Sequence, residues 1–200
     1  MRPILFFLEK MPILRPQADI HPSDLLDRPE VGSPNDPGRW YAINTKSRQE
    51  KKLMDALRKS AIEFYGVMHM KNGTTPGGRS RQSQVPLFPG YLFLHGDNEA
   101  KHKAMCTGHA ALSIEVPSGE QAQLTKELRI LHMLLGVGNP VSSEAKQLIG
   151  DRVRITQGPL KGIEGRCIQT QEETRFYIGL SFLRQMISMP VERNYLESST

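Results

Sequence analysis

Two cysteines are all that 200 residues supply, Cys106 and Cys167, and no CxxC pair is present. A disulfide framework is excluded on that count, and the usage fits a reducing cytoplasm. Long apolar runs are lacking as well. The stretch Pro3-Ile4-Leu5-Phe6-Phe7-Leu8 stops at Glu9 and Lys10, far short of the ~20 residues that a membrane span needs. It has no small-residue cleavage site, so it does not read as a secretory signal. Met11 follows it as a candidate alternative start. Charge of one sign is only in modest surplus, 26 Lys and Arg against 21 Asp and Glu, for a net +5. That surplus permits contact with nucleic acid without demanding it.

What is present divides the chain. Hydrophobic residues reach 38% and charged residues 24%, enough for a modest core and against wholesale disorder. The basic excess lies in the middle: residues 39–135 hold 14 basic and 8 acidic side chains, so a polyanion contact is sought there first. Residues 1–38 carry seven prolines and no sustained periodicity; they read as an extended, partly ordered leader.

From Trp40 the pattern predicts strand (40–44), helix, strand (62–68), strand (91–94), helix (98–106), strand (113–116), helix. Such an order implies an α+β sheet with packed helices. Ser47 and Glu50 have the spacing of a capping box that opens the first helix, and Ser118 with Gln121 repeats it before the last. Leu124, Leu128, Leu131 and Leu135 mark the last helix's apolar stripe. Residues 71–84, with Gly73, Pro76, Gly77 and Gly78 among Lys71, Arg79 and Arg81, read as a flexible basic loop. A linker at 136–147 separates a first unit (39–135) from a second (148–197) of short, evenly spaced strands, as in a small β-barrel.

Three motifs carry a resemblance. Residues 39–51, Arg39-Trp40-Tyr41-Ala42-Ile43-Asn44 and onward, resemble the opening of the NusG amino-terminal domain. Pro86-Leu87-Phe88-Pro89-Gly90-Tyr91-Leu92-Phe93 is similar to that family's central strand entry. Gly150 to Ile155, followed by Gly158-Pro159-Leu160-Lys161-Gly162-Ile163-Glu164-Gly165, is similar to the KOW signature. In that turn Pro159 pre-sets φ, and Gly158 and Gly162 can supply positive φ. The resemblance implies a NusG-type mixed sheet with flanking helices, followed by a small SH3-like KOW barrel. It also implies a factor of transcription elongation or antitermination with no catalytic centre and no cofactor.

In that family an apolar patch docks on the clamp helices of RNA polymerase's largest subunit. The resemblance places Asn44, Tyr91 and Phe93 in this patch. Tyr91 and Phe93 share one face of a strand and are expected to stand exposed on it as anchors. Lys46, Arg48, Lys51, Lys52, Arg79 and Arg81 are assigned to the backbone of DNA near the transcription bubble. His102 matches a polar helix stretch that contacts the opposite side of the cleft in antiterminating relatives. Leu160 stands where the general factor carries an aromatic, and Phe182-Leu183-Arg184 replaces Phe-Gly-Arg. These departures favour an RfaH-like paralogue over the housekeeping factor and weaken the expected bridging to Rho or to a small-subunit ribosomal protein.

Two rival classes remain open. His102, Cys106 and His109 could hold zinc or provide a thiol nucleophile, but Gly108 interrupts the helix and a fourth ligand is lacking nearby. A ribosome-associated KOW protein that binds RNA explains the charge and the barrel, but not Trp40 or Phe88-Pro89-Gly90.

Overall fold

A computed structural model describes residues 18–74, 78–137, 141–144, 150–169 and 174–199. The candidate start Met11, Pro76 and Gly77 of the basic loop, and half of the 136–147 linker (138–140 and 145–147) lie outside these residues. The first unit holds β1 (Ile20–His21), β2 (Arg39–Thr45), α1 (Glu50–Lys59), β3 (Glu63–Tyr65), β4 (Met68–Thr74) and β5 (Ser80–Pro86). β6 (Tyr91–Gly96), α2 (Asn98–Cys106), β7 (Ala110–Glu115) and α3 (Gln121–Gly136) complete it. β1, β3, β6, β2 and β7 form one sheet in that order, and every pair in it is antiparallel where a mixed sheet was expected.

Alternation gives the sheet two apolar faces. Tyr41, Ile43, Phe64, Leu92 and Leu94 pack with Leu53, Met54 and Leu57 of α1 and Ala104 of α2. Trp40, Ala42, Tyr65 and Phe93 point the other way, toward Leu124, Leu128 and Leu131 of α3. The boundaries of α2 agree with the sequence because Asp97 caps it, its carboxylate accepting from the Ala100 N–H at 2.8 Å.

Neither capping box forms. Glu50 is buried and accepts from the Gly90 N–H at 2.9 Å, tying α1 to the entry of β6. Gln121 accepts from the Trp40 N–H at 2.8 Å and donates to the Val116 carbonyl at 2.6 Å, fastening α3 to the sheet. The expected basic loop is a hairpin, β4 paired with β5 from Met68↔Pro86 to Thr74↔Ser80. Its polar residues give no apolar stripe to read, and the strands are joined by a backbone ladder of seven paired positions.

Residues 18–38 of the leader are more ordered than their prolines imply. β1 extends the sheet at β3, and Leu25, Leu26 and Val31 enter the core on the α3 side. The Arg129 guanidinium of α3 donates to the carbonyls of Leu26 (2.7 Å) and Arg28 (2.6 Å). Proline's missing donors are no obstacle where carbonyls supply the contacts.

The second unit comprises β8 (Ser142–Glu144), β9 (Asp151–Ile155), β10 (Glu164–Gln169), β11 (Thr174–Leu180), β12 (Gln185–Pro190) and β13 (Leu196–Ser198). They form one antiparallel sheet in the order β13-β9-β10-β11-β12-β8 around Val153, Ile155, Phe176, Ile178 and Met189. β8 falls inside the expected linker. The two units are in contact: Ile130 and Leu134 of α3 pack into the second core, while Leu180 and Ile187 pack into the first.

Candidate functional site

Register across the sheet assembles a single surface. Asn44 lies between Tyr91 on β6 and Leu112 on β7, and Ala42 lies between Phe93 and Ile114. Directly opposed residues of antiparallel strands point to the same side, so all six share the face that carries Trp40. The three assigned residues Asn44, Tyr91 and Phe93 are therefore brought together.

Their exposure differs from expectation. Phe93 is 0% exposed; its ring meets Phe88 edge-on at 6.5 Å between centroids. Tyr91 and Asn44 are half-buried. The expectation assumed that helices would cover one face and leave the other bare. Here α1 and α2 take one face, and α3 with the β11–β12 turn takes much of the other: Phe182 and Leu183 pack onto the cluster that contains Phe93. What stays open is the β7 edge, with Leu112 55% and Ile114 40% exposed. The sequence reading began this strand at Ser113 and so missed Leu112; its signal was the alternation of Leu112 and Ile114 with Ala111, Ser113 and Glu115.

The covering turn is held by one carboxylate. Glu127 of α3, only 5% exposed, accepts from the Ser181 N–H at 3.0 Å, the Ser181 hydroxyl at 2.7 Å and the Gln123 amide at 2.8 Å. It caps residues 181–184, which present Phe182 and Leu183.

The six assigned cations fall on two elements. Lys46, Arg48, Lys51 and Lys52 are exposed around the start of α1, and Arg79 and Arg81 are exposed on the β4–β5 hairpin. His102 is exposed on α2, with Nε2 3.5 Å from Cys106 Sγ. Among the described residues no group of three or more His, Cys, Asp or Glu side chains could hold a metal ion. No described helix is long and apolar enough to cross a membrane.

At the second unit's turn, Gly158 and Gly162 have φ of +76° and +90°, the left-handed values that glycine adopts without strain. Gly162 N–H donates to the Ile155 carbonyl at 2.7 Å. Leu160, 5% exposed, points inward to the second core, so the turn offers Pro159 and Lys161 to solvent. Beside it lies a cavity of about 500 Å³ lined by Val137, Ile155, Leu160, Met189, Val191 and Tyr195, among others.

Comparison with known proteins bears on the first unit most directly. Residues 38–132 match the family model described as transcription termination factor nusG. The chain is 25% identical over 157 residues to the transcription termination/antitermination protein NusG of Thermus thermophilus, an alignment covering 67% of this chain and 83% of that one. A solved structure titled as the MjSpt4:Spt5 complex in conformation B aligns over 80% of this chain and 97% of its own at 15% identity, with a TM-score of 0.25.

Proposed function

We propose that this chain, whose residues 38–132 match the NusG family model, is a bacterial transcription elongation and antitermination factor of the specialised, RfaH-like kind. It binds RNA polymerase and reduces pausing or termination. The observation that carries the reading is the open apolar edge formed by Leu112 and Ile114 beside half-buried Asn44 and Tyr91. A sheet edge with Leu112 and Ile114 exposed offers apolar area to the pair of clamp helices. Fully burying a Leu or Ile side chain contributes about 1.5–3 kcal/mol, and about half of that remains available where the side chain is half exposed. Phe93 joins the contact once the 181–184 turn moves aside, so the second unit competes with the polymerase for the same face. Lys46, Arg48, Lys51, Lys52, Arg79 and Arg81 add contacts to the DNA backbone, which require only placed cations.

The housekeeping alternative rests on a different feature. The apolar hollow beside Pro159 and Leu160 fits a partner of the KOW domain, Rho or a small-subunit ribosomal protein. Capture of either by the full chain favours that reading.

Elongation by purified polymerase, with and without the chain, tests the main proposal. Pauses shorten when it is added, and replacing both Leu112 and Ile114 by Glu abolishes the effect in a protein that keeps its fold. Absence of polymerase binding, with ribosomal RNA captured instead, rejects it in favour of the ribosome-associated class.

A further inference from the structure

Away from Tyr91 on the same face, β6 buries a charged cluster that polymerase binding does not use. His95 is 5% exposed. Its Nδ1 lies 2.6 Å from Glu63 Oε2 and its Nε2 lies 2.9 Å from Asp36 Oδ2. Ionised carboxylates only accept hydrogen bonds, so both ring nitrogens must donate, and only the imidazolium has two N–H groups. The ring packs between Trp40, 5.0 Å away between centroids, and the backbone of Gly38, where a Cβ would fall 2.5 Å from His95 Cε1. Asp36 is itself fixed, accepting from the N–H groups of Gly32 (2.6 Å) and Gly38 (2.9 Å). Glu63 also accepts from Arg28 at 2.7 Å.

These contacts span two parts of the chain. Asp36 and Arg28 come from the leader, with Asp24 and Glu30 flanking Arg28; Glu63 comes from β3 and His95 from β6. From β2 the ring meets the neutral Trp40, whose Nε1 donates to Thr125 of α3 at 2.9 Å. Counting Arg28, Glu63, His95 and Asp36, the cluster is neutral with the ring protonated and carries one uncompensated negative charge without it.

We propose that residues 18–38 are a proton-held strap: the doubly protonated ring of His95 joins the strap's Asp36 to Glu63 of the sheet, and loss of its proton loosens the strap. Burial opposes the charged ring, but hydrogen bonds to Glu63 and Asp36 outweigh it and raise the pKa of His95 above its usual 6.5. Stability from the raised group is fully present below the unfolded value and is lost as pH rises through the folded one. The carboxylates close the window from the other side. Against their own burial, Asp36 is lowered by the Gly32 N–H and His95, and Glu63 by His95 and Arg28. Their contribution is lost as pH falls through their depressed values. The strap is tightest between these limits and loosens on the alkaline side as pH rises through the folded pKa of His95, above 6.5. Loosening uncovers the cluster shared by Leu25, Leu26, Val31, Phe88 and Phe93; its value to a polymerase helix rests on the function proposed above, whereas the strap itself does not.

Hydrogen exchange of the full chain from pH 6 to 9, corrected for intrinsic rates, reads the strap without any polymerase. Peptides covering residues 24–38 are expected to lose protection by tenfold or more across the titration of His95, while β9–β12 peptides stay constant. The ring's own midpoint, followed by NMR and by emission of Trp40, the chain's one tryptophan, lies above 6.5. In His95→Gln the strap is loose at pH 6 and its pH dependence is gone; Asp36→Asn, which keeps the ring, gives the same looseness. Equal strap protection at pH 6 and 9, a His95 midpoint at or below 6.5, or unchanged pH dependence in a folded His95→Gln protein overturns the proposal.

Discussion

Replacing Glu127 by Gln probes the contact between the two units with almost no change in volume. The carboxylate takes three hydrogen bonds, two of them from Ser181. Bonds to a charged acceptor contribute about 1.5–3 kcal/mol each and neutral ones about 0.5–1.5 kcal/mol. Glutamine retains one acceptor oxygen but turns an NH2 group toward donors already in place. A net loss of about 2 kcal/mol follows, concentrated at the 181–184 turn. At about 1.4 kcal/mol per decade that is roughly a 30-fold shift toward the opened arrangement. A binding-competent state populated more often raises apparent affinity in proportion. Polymerase titration should therefore show tighter binding of Glu127→Gln, by up to roughly 30-fold, and exchange at residues 180–187 should accelerate to match. A folded variant with unchanged protection at the turn, or with weaker polymerase binding, refutes the reasoning.

Three further outcomes are expected. Gly165→Ala places a Cβ 2.5 Å from the Phe176 ring and 2.5 Å from the Tyr177 carbonyl; backbone cannot step aside, so thermal melting should show about 1–3 kcal/mol of destabilisation, and an unaltered Tm would count against the close approach. Phe93→Ala opens a cavity and should cost about 3–5 kcal/mol, whereas Tyr91→Ala leaves the fold near intact and weakens polymerase capture; the opposite ranking in denaturant melts would contradict the burial described. Neutralising Lys46, Arg48, Lys51 and Lys52 together should flatten the salt dependence of DNA binding by about 0.9 per phosphate contact removed from duplex, and an unchanged slope would move the contact elsewhere.

The elements that were legible in the sequence are those whose signals are local. Asp97 and Gly108 bracket α2, and the leucines at 124, 128 and 131 mark α3 by their spacing alone. What escaped depends on partners distant in the chain. Ser47 and Glu50 had the right spacing for a cap, but the Gly90 N–H claimed the carboxylate from 40 residues away. The β4–β5 hairpin lacks an apolar face, so periodicity had nothing to register. The leader's order comes from Arg129, 103 residues beyond the Leu26 carbonyl it binds, and from His95, 59 residues beyond the Asp36 carboxylate. At the candidate site the pattern identified which residues share a face, because alternation fixes that. It could not tell which elements would cover that face, and Phe93 was misjudged for this reason.

β8 has a consequence for how the second unit can move. Because Ser142 pairs with Ser188, the chain between α3 and the second sheet is only residues 137–141, with Val141 buried against the first core. So short a stretch reaches less than about 20 Å even fully drawn out. A leash of that length keeps the displaced unit near its seat at an effective concentration on the order of millimolar. On the function proposed above, a partner holding the sheet face works against a competitor that stays tethered beside it, and release of that partner refills the seat.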